Sequence, residues 1–257
     1  MTRFSANLGF LWNDLPLPDA IRAAAAAGFD AVECHWPYDV PAGDVATALA
    51  ETGLPMLGLN TRRGDLDAGE NGVAALPGRE DDARAFIDEA ITYAITIKAA
   101  NIHVMAGFAA GQAAHDSFIA NLAYACIAAA PHGITILIEP LNHHDAPGYF
   151  LNGTAQAKAI IDEVSASNLK LMFDCYHIQR LEGNLTDKLT DLLTVIGHIQ
   201  FASVPDRGAP DHGELYYPHI YAHLASIGYM APLGAEYKPD GDTESSLAWL
   251  NSARNSL

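Results

Sequence analysis

Glu139, Asp174, Gln200 and Glu236 stand 35, 26 and 36 residues apart, each at or near the C-terminal end of a short apolar run. Each interval is about the length of one strand, its following helix and their connections, so a barrel of such units would set all four at one rim. Three carboxylates and an amide oxygen are hard donors, suited to Mg²⁺ or Mn²⁺ in preference to zinc held by cysteine or histidine. Taken singly, each is more commonly a helix cap or a solvated loop group. Taken together they are harder to dismiss. Glu139 closes the run Ile134 to Ile138 and Asp174 follows Leu169 to Phe173, and burying such charges without compensation costs several kcal/mol. A shared divalent cation would offset that cost.

Basic and polar groups follow the same positions. His177, three residues past Asp174, can donate to a substrate oxygen. Arg207 lies in a loop with Pro205, Gly208, Pro210 and Gly213 and can grip a carboxylate through two parallel hydrogen bonds. Lys238, two residues past Glu236, is a third basic candidate, although a solvent-facing lysine explains it equally well. The formal charge of −17 opposes binding to a phosphate backbone, and nucleic acid is not an expected partner. A small anionic substrate is compatible with that charge only where a local basic group such as Arg207 overcomes the mean field.

Other conspicuous residues carry less weight. His143, His144 and Asp145 read as a solvated turn, while His103 and His198 sit within strands and are expected to be satisfied inside the fold. Trp12, Trp36 and Tyr38 follow strands and either roof the site or pack. Cys34, Cys126 and Cys175 offer neither a disulfide framework nor a zinc spacing and read as buried thiols. No Gly-x-Ser-x-Gly elbow or phosphate-cradling glycine loop occurs.

The elements that must position these residues follow from hydrophobic periodicity. Eight strand patterns are expected at Phe4 to Gly9, Ala31 to Cys34, Pro55 to Asn60, Ile102 to Met105, Thr135 to Glu139, Lys170 to Asp174, His198 to Ala202 and Gly234 to Glu236. Helical patterns lie at Leu17 to Ala27, Val45 to Thr52, Glu80 to Lys98, Ser117 to Ala130, Thr154 to Ala166, Leu185 to Val195, Tyr217 to Ile227 and Ser245 to Arg254. The alternation predicts an α/β fold, a single (β/α)8 TIM barrel over residues 1–257, and the lack of a phosphate loop counts against a doubly wound open sheet. The glycine-containing stretch Thr61 to Pro77 reads as an extended functional loop. No apolar run approaches the roughly eighteen residues of a membrane span, and the N-terminus lacks signal-peptide zones, which leads us to expect a cytoplasmic protein with no membrane partner. A homo-oligomer is compatible with the sequence.

At these residues the chain resembles the hydroxypyruvate isomerase group of the xylose-isomerase-like barrels. The resemblance runs through Phe4 to Leu8, Val32-Glu33 with Pro37 to Asp39, Leu76 to Glu80, Ile138 to Asn142, Asp174 to His177 with Gln179 and Glu182-Gly183, His198 to Gln200, and Gly234 to Pro239. It implies that Glu139, Asp174, Gln200 and Glu236 ligate one divalent metal ion and that Glu139 and Glu236 form the acid/base pair. It further implies a small anionic hydroxy-keto acid substrate and no organic cofactor. The expected reaction interconverts hydroxypyruvate and tartronate semialdehyde, with 2-oxo-tetronate isomerase or ketose 3-epimerase as alternatives. A non-catalytic sugar-acid binding barrel and a DNA-repair endonuclease of the same fold are the more distant readings. Two segments depart from the family pattern, Cys34-His35-Trp36 and Thr61 to Asp65; both are expected to border the substrate pocket, with Arg62 or Arg63 recognising a longer or more anionic acid. On this reading Glu139→Gln and Glu236→Gln each abolish turnover with the fold intact.

Overall fold

A computed structural model describes residues 2–255. The strands are β1 (Phe4–Asn7), β2 (Ala31–Glu33), β3 (Gly58–Asn60), β4 (Asn101–His103), β5 (Thr135–Ile138), β6 (Leu169–Asp174), β7 (Ile196–Phe201) and β8 (Leu233–Ala235). All pair in parallel in the order β2-β1-β8-β7-β6-β5-β4-β3. The gap between the first and last of these is bridged by Val32 N–H to the Pro55 carbonyl at 3.0 Å, Leu57 N–H to the Val32 carbonyl at 2.7 Å and Cys34 N–H to the Gly58 carbonyl at 3.0 Å. The expected barrel is therefore the observed one. Closure removes both sheet edges, and covering the outer face with helices accounts for the near-continuous apolar character of the strands.

The helices are α1 (Leu17–Ala26), α2 (Ala42–Thr52), α3 (Glu80–Ile97), α4 (Gln112–Ala129), α5 (Thr154–Val164), α6 (Cys175–Leu181), α7 (Leu185–Leu192), α8 (Tyr217–Ser226) and α9 (Ala248–Asn255). Each α/β step buries a stripe of the helix against the barrel, as Ala20, Ile21 and Ala24 do in α1. The helix α6 is an addition to the expected series. It begins at the residue after β6 with no turn between them: Asp174 is both the last strand residue and the N-cap, its side chain accepting from Tyr176 N–H at 2.8 Å. A boundary without a glycine, proline or polar cluster leaves no local mark in the sequence. α4 starts five residues earlier than Ser117, after Gly111 at φ 84°. At α5, Gly153 is the cap residue but offers no side chain; the Thr154 N–H and hydroxyl bind the Glu182 carboxylate instead, at 2.6 and 2.8 Å.

The three cysteines are free and buried, as expected. No helix among the described residues is long and apolar enough to cross a membrane.

Candidate active site

Every strand of the barrel ends on or next to a polar residue. Four are strand-terminal in the first half, Asn7, Glu33, Asn60 and His103; Glu139 follows β5, Asp174 ends β6, Gln200 is next to last in β7 and Glu236 follows β8. Parallel strands of matched register deliver these positions to one rim, where side chains alternate between the interior and the helix layer. Glu139, Asp174, Gln200 and Glu236 are all buried.

The structure brings these four together with His177 and Arg207. Donor atoms of Glu139, Asp174 and His177 lie within 4.8 Å of one another. Gln200 Nε2 reaches Glu236 Oε1 at 3.3 Å, and Arg207 Nη2 stands 2.5 Å from Glu236 Oε2 and 3.8 Å from Asp174 Oδ2. Lys238 does not join them. Its side chain is exposed and faces a groove shared with Asp206, Asp211, His212 and Asp240, while only its backbone N–H meets the site region, bonding to the Arg207 carbonyl at 2.8 Å.

The cluster is short of donors on one side and of an acceptor on the other. Among the described residues, Glu139 Oε1, Asp174 Oδ2 and Gln200 Oε1 are buried oxygens without a hydrogen-bond partner, and Arg207 Nε is a buried donor without an acceptor. Buried polar atoms are rarely left so, because each costs about 1–3 kcal/mol. One hard oxygen from each of three neighbouring strands fits a divalent cation, and the open edge of the guanidinium fits an anion. Asp174 thus serves twice, its Oδ1 capping α6 and its Oδ2 left for the cluster.

Charge follows the same geometry. Burial, reinforced by Glu236 and Asp174, raises the Glu139 carboxyl well above the usual range, and burial with Glu236 pushes Asp174 up to about 7. Burial would also raise Glu236, but Arg207 and a hydrogen bond from His35 outweigh it and hold that carboxyl down at about 2. Glu236 Oε1 accepts from Asn7 Nδ2 at 2.9 Å and His35 Nε2 at 3.0 Å. The Arg207 guanidinium lies between the rings of Phe10 and Tyr176, 4.9 and 5.0 Å from their centroids, on a backbone in the left-handed region at φ 59°.

The tautomer of His177 follows from its neighbours. Its Nδ1 accepts from the Asn142 backbone N–H at 3.1 Å and faces the Asn142 side-chain amide at 2.8 Å. Burial, with Arg207 close by, holds its pKa at about 3, so the ring is neutral and carries its proton on Nε2. A protonated Nε2 cannot ligate a cation. His177 therefore faces the cluster as a hydrogen-bond donor, 3.6 Å from Asp174 Oδ2.

Several surrounding expectations need correction. His198 is satisfied by Glu33 at 3.0 Å, but neither nitrogen of buried His103 has a hydrogen-bond partner among the described residues; the nearest acidic oxygen, on Glu139, is 3.6 Å away. Arg62 is turned outward to α3, where Glu89 takes both Nε at 2.6 Å and Nη2 at 2.9 Å. Arg63 lies over the Trp36 ring at 4.9 Å and bonds to Asn71. Arg62 is thus taken up by Glu89, whereas Arg63 has no carboxylate partner among the described residues. His143, His144 and Asp145 form an exposed turn, as expected, with Asp145 also 3.8 Å from Arg207.

Asn7 and Glu33 were not among the residues singled out as site candidates, and His35 was expected only as part of a segment bordering the pocket, where the structure places it. The rule used for the second half of the chain, a polar residue terminating an apolar strand, identifies the first two when it is applied to β1 and β2.

The profile of the family described as xylose isomerase-like TIM barrel matches residues 21–253. The chain belongs to that family. It is 46% identical over 254 residues to the 2-oxo-tetronate isomerase of Cupriavidus necator, covering 97% of this chain and 98% of that protein. It is 39% identical over 259 residues to the hydroxypyruvate isomerase of Escherichia coli, covering 99% and 100%. A crystal structure from Brucella melitensis described as an AP endonuclease, family 2, matches with a TM-score of 0.95 at 41% identity, covering 98% of this chain and 99% of that one. The two curated relatives are isomerases, and the chain is an isomerase of their group.

Proposed function

We propose that this isomerase interconverts a 3-hydroxy-2-oxo acid with the corresponding 2-hydroxy-3-oxo acid, hydroxypyruvate and tartronate semialdehyde being the smallest such pair. The observation that carries the reading is the juxtaposition of three unpartnered carboxylate and amide oxygens with an unpartnered arginine N–H in one buried cluster. That combination suits a chelating, negatively charged substrate beside a cation. The four-carbon alternative, a 2-oxo-tetronate, has a specific observation in its favour, the 46% identity to the C. necator enzyme.

Glu139, Asp174, Gln200 and Glu236 would hold Mg²⁺ or Mn²⁺. A bound divalent ion supplies Lewis-acid stabilisation of negative charge developing on the substrate's carbonyl and hydroxyl oxygens. The rest falls to the chain. Arg207 takes the substrate carboxylate through its open Nε edge. The anion competes with Glu236 for the guanidinium, and as that pairing weakens Glu236 regains basicity. One of Glu139 and Glu236 removes the proton from C3, and the other returns a proton to C2. His177 Nε2–H donates to a substrate oxygen while the hydroxyl proton passes from O3 to O2. Atoms balance without an oxidant, a reductant or an organic cofactor.

The substrate is small and anionic, and DNA is disfavoured by the formal charge of −17. Incubating the enzyme with hydroxypyruvate, 2-oxo-tetronates and ketohexoses in D₂O with Mg²⁺ or Mn²⁺ tests the proposal. Deuterium should enter the product of an oxo acid at C2. Exchange confined to ketohexoses would replace it with a 3-epimerase, and tight binding of every oxo acid without exchange would replace it with a binding barrel.

Cation binding should depend on pH in a defined direction. Burial raises Asp174 from its ordinary value to about 7, so the ionised form costs the fold stability. The stability contributed by the protonated carboxyl is complete below about pH 4 and is lost as pH rises through about 7. Mn²⁺ requires the ionised form and relieves that cost. Its apparent affinity should rise at least about tenfold between pH 6 and pH 8, since Glu139, also raised by burial, must be ionised as well, with a correspondingly larger gain in Tm. Equal gains at the two pH values would count against a cation at Asp174.

A further inference from the structure

Gln200 presents a carboxamide to the cluster, and the two ends of a carboxamide are nearly the same shape. Only the carbonyl end can ligate a cation. Which end faces inward is decided by what holds the other one. The Gln200 –NH₂ lies 2.8 Å from Glu33 Oε2 and 3.3 Å from Glu236 Oε1, both carboxylate oxygens, and neither could accept a carbonyl there. The same Glu33 oxygen accepts from His198 Nε2 at 3.0 Å, fixing the carboxylate from a second direction. All three side chains are buried, and Gln200 Oε1 is left without a partner.

The contact spans the barrel interior. Glu33 ends β2 and Gln200 lies in β7, and two strands, β1 and β8, stand between them. Glu33 reaches across the interior past Gly234 of β8. A Cβ at Gly234 would lie 2.3 Å from Glu33 Oε1, 2.8 Å from Gln200 Cγ and 2.9 Å from His198 Nε2. Position 234 is thus a window through which the carboxylate passes, and its glycine is required by space, not by backbone angle.

We infer that Glu33 is a positioning residue for the cation site: by holding the –NH₂ of Gln200 across the Gly234 window, it leaves the carbonyl oxygen as the unpartnered end, the one available to a cation. The inference rests on the cation reading above. Glu33 itself need not touch the ion. Without it the amide is free to turn over, and half of its orientations present N–H to a cation.

The test is calorimetric titration of Mn²⁺ into wild type, Glu33→Gln, Glu33→Asp and Glu33→Ala, with Tm measured for each. Glu33→Gln keeps the reach and one carbonyl that can accept from both partners, so its affinity should stay within about threefold of wild type. Glu33→Asp keeps the charge but is one methylene too short, and with Glu33→Ala it should lose about 10- to 100-fold in affinity. The order of Gln above Asp separates positioning from charge, since a purely electrostatic role would favour Asp. A purely packing role would lower Tm and leave the Mn²⁺ affinity of the folded variants unchanged. Asp binding Mn²⁺ better than Gln, or both binding as wild type does, overturns the role of Glu33. If Glu33→Ala fails to fold, the Gln-to-Asp comparison decides alone. Wild type taking up no Mn²⁺ would overturn the cation site and this inference with it, whereas uptake indifferent to position 33 would overturn this inference only.

Discussion

Glu139→Gln should lower turnover of the best oxo-acid substrate by about 10²–10⁴-fold, the usual contribution of a positioned acid or base, and should do so without lowering Tm. Burial and two neighbouring carboxylates raise the Glu139 carboxyl well above its ordinary range, so ionising it in the folded state opposes folding. A neutral amide of the same shape removes that opposition, and the cation-free variant should melt at the wild-type temperature or above it. Glu236→Gln should lose activity to a similar degree but behave differently on heating. Glu236 is the close partner of Arg207, and removing one member of a buried pair while leaving the other charge in place costs about 3–5 kcal/mol. The structure thereby revises the expectation from sequence that both substitutions leave the fold equally intact. Rate measurements at saturating Mn²⁺ and melting curves of the cation-free variants check both halves. Turnover by Glu139→Gln within tenfold of wild type would remove it from the proton-transfer pair, and a lower Tm for Glu139→Gln than for Glu236→Gln would reverse the charge argument.

Arg207→Met should raise KM for an oxo acid by roughly 100-fold, corresponding to about 3 kcal/mol for two hydrogen bonds between charged groups. Methionine retains the apolar fit between Phe10 and Tyr176 and loses the charge. A neutral ketose, which has no carboxylate to hold, should show no comparable change in KM if it is turned over at all. The difference between the two substrates isolates anion binding from general damage. Arg207→Lys is the second arm. Lysine carries the charge but not the planar fork, and it should recover only part of the loss. A KM for hydroxypyruvate within threefold of wild type in Arg207→Met would assign the substrate carboxylate to another group.

Much of the site's composition was legible because its signal is local. A carboxylate that closes Ile134 to Ile138, or one that follows Leu169 to Phe173, breaks the apolar pattern of its own strand, and strand ends in a barrel converge at one rim. Glu33 and Asn7 obey the same rule in β1 and β2. The helix α6 was not legible, because Asp174 joins it to β6 without a turn residue. Nor was the outward placement of Lys238 and Arg62, since a basic side chain beside a site residue in sequence has the same appearance whichever way it points.

The sequence by itself determined the alternation that makes the barrel, the polar residue at each strand end and, through these, the hard-donor character of the cluster. Periodicity and burial of charge are properties of a few consecutive residues, and they act wherever the chain goes. Only the tertiary structure decided which atoms of each group are engaged and which are left without a partner. Asp174 spends one oxygen on a helix cap, Gln200 is oriented by Glu33 from 167 residues away, and Glu236 is held by Asn7 from 229 residues away. Those partners meet because barrel closure brings the first strands beside the last, a proximity that no local pattern encodes.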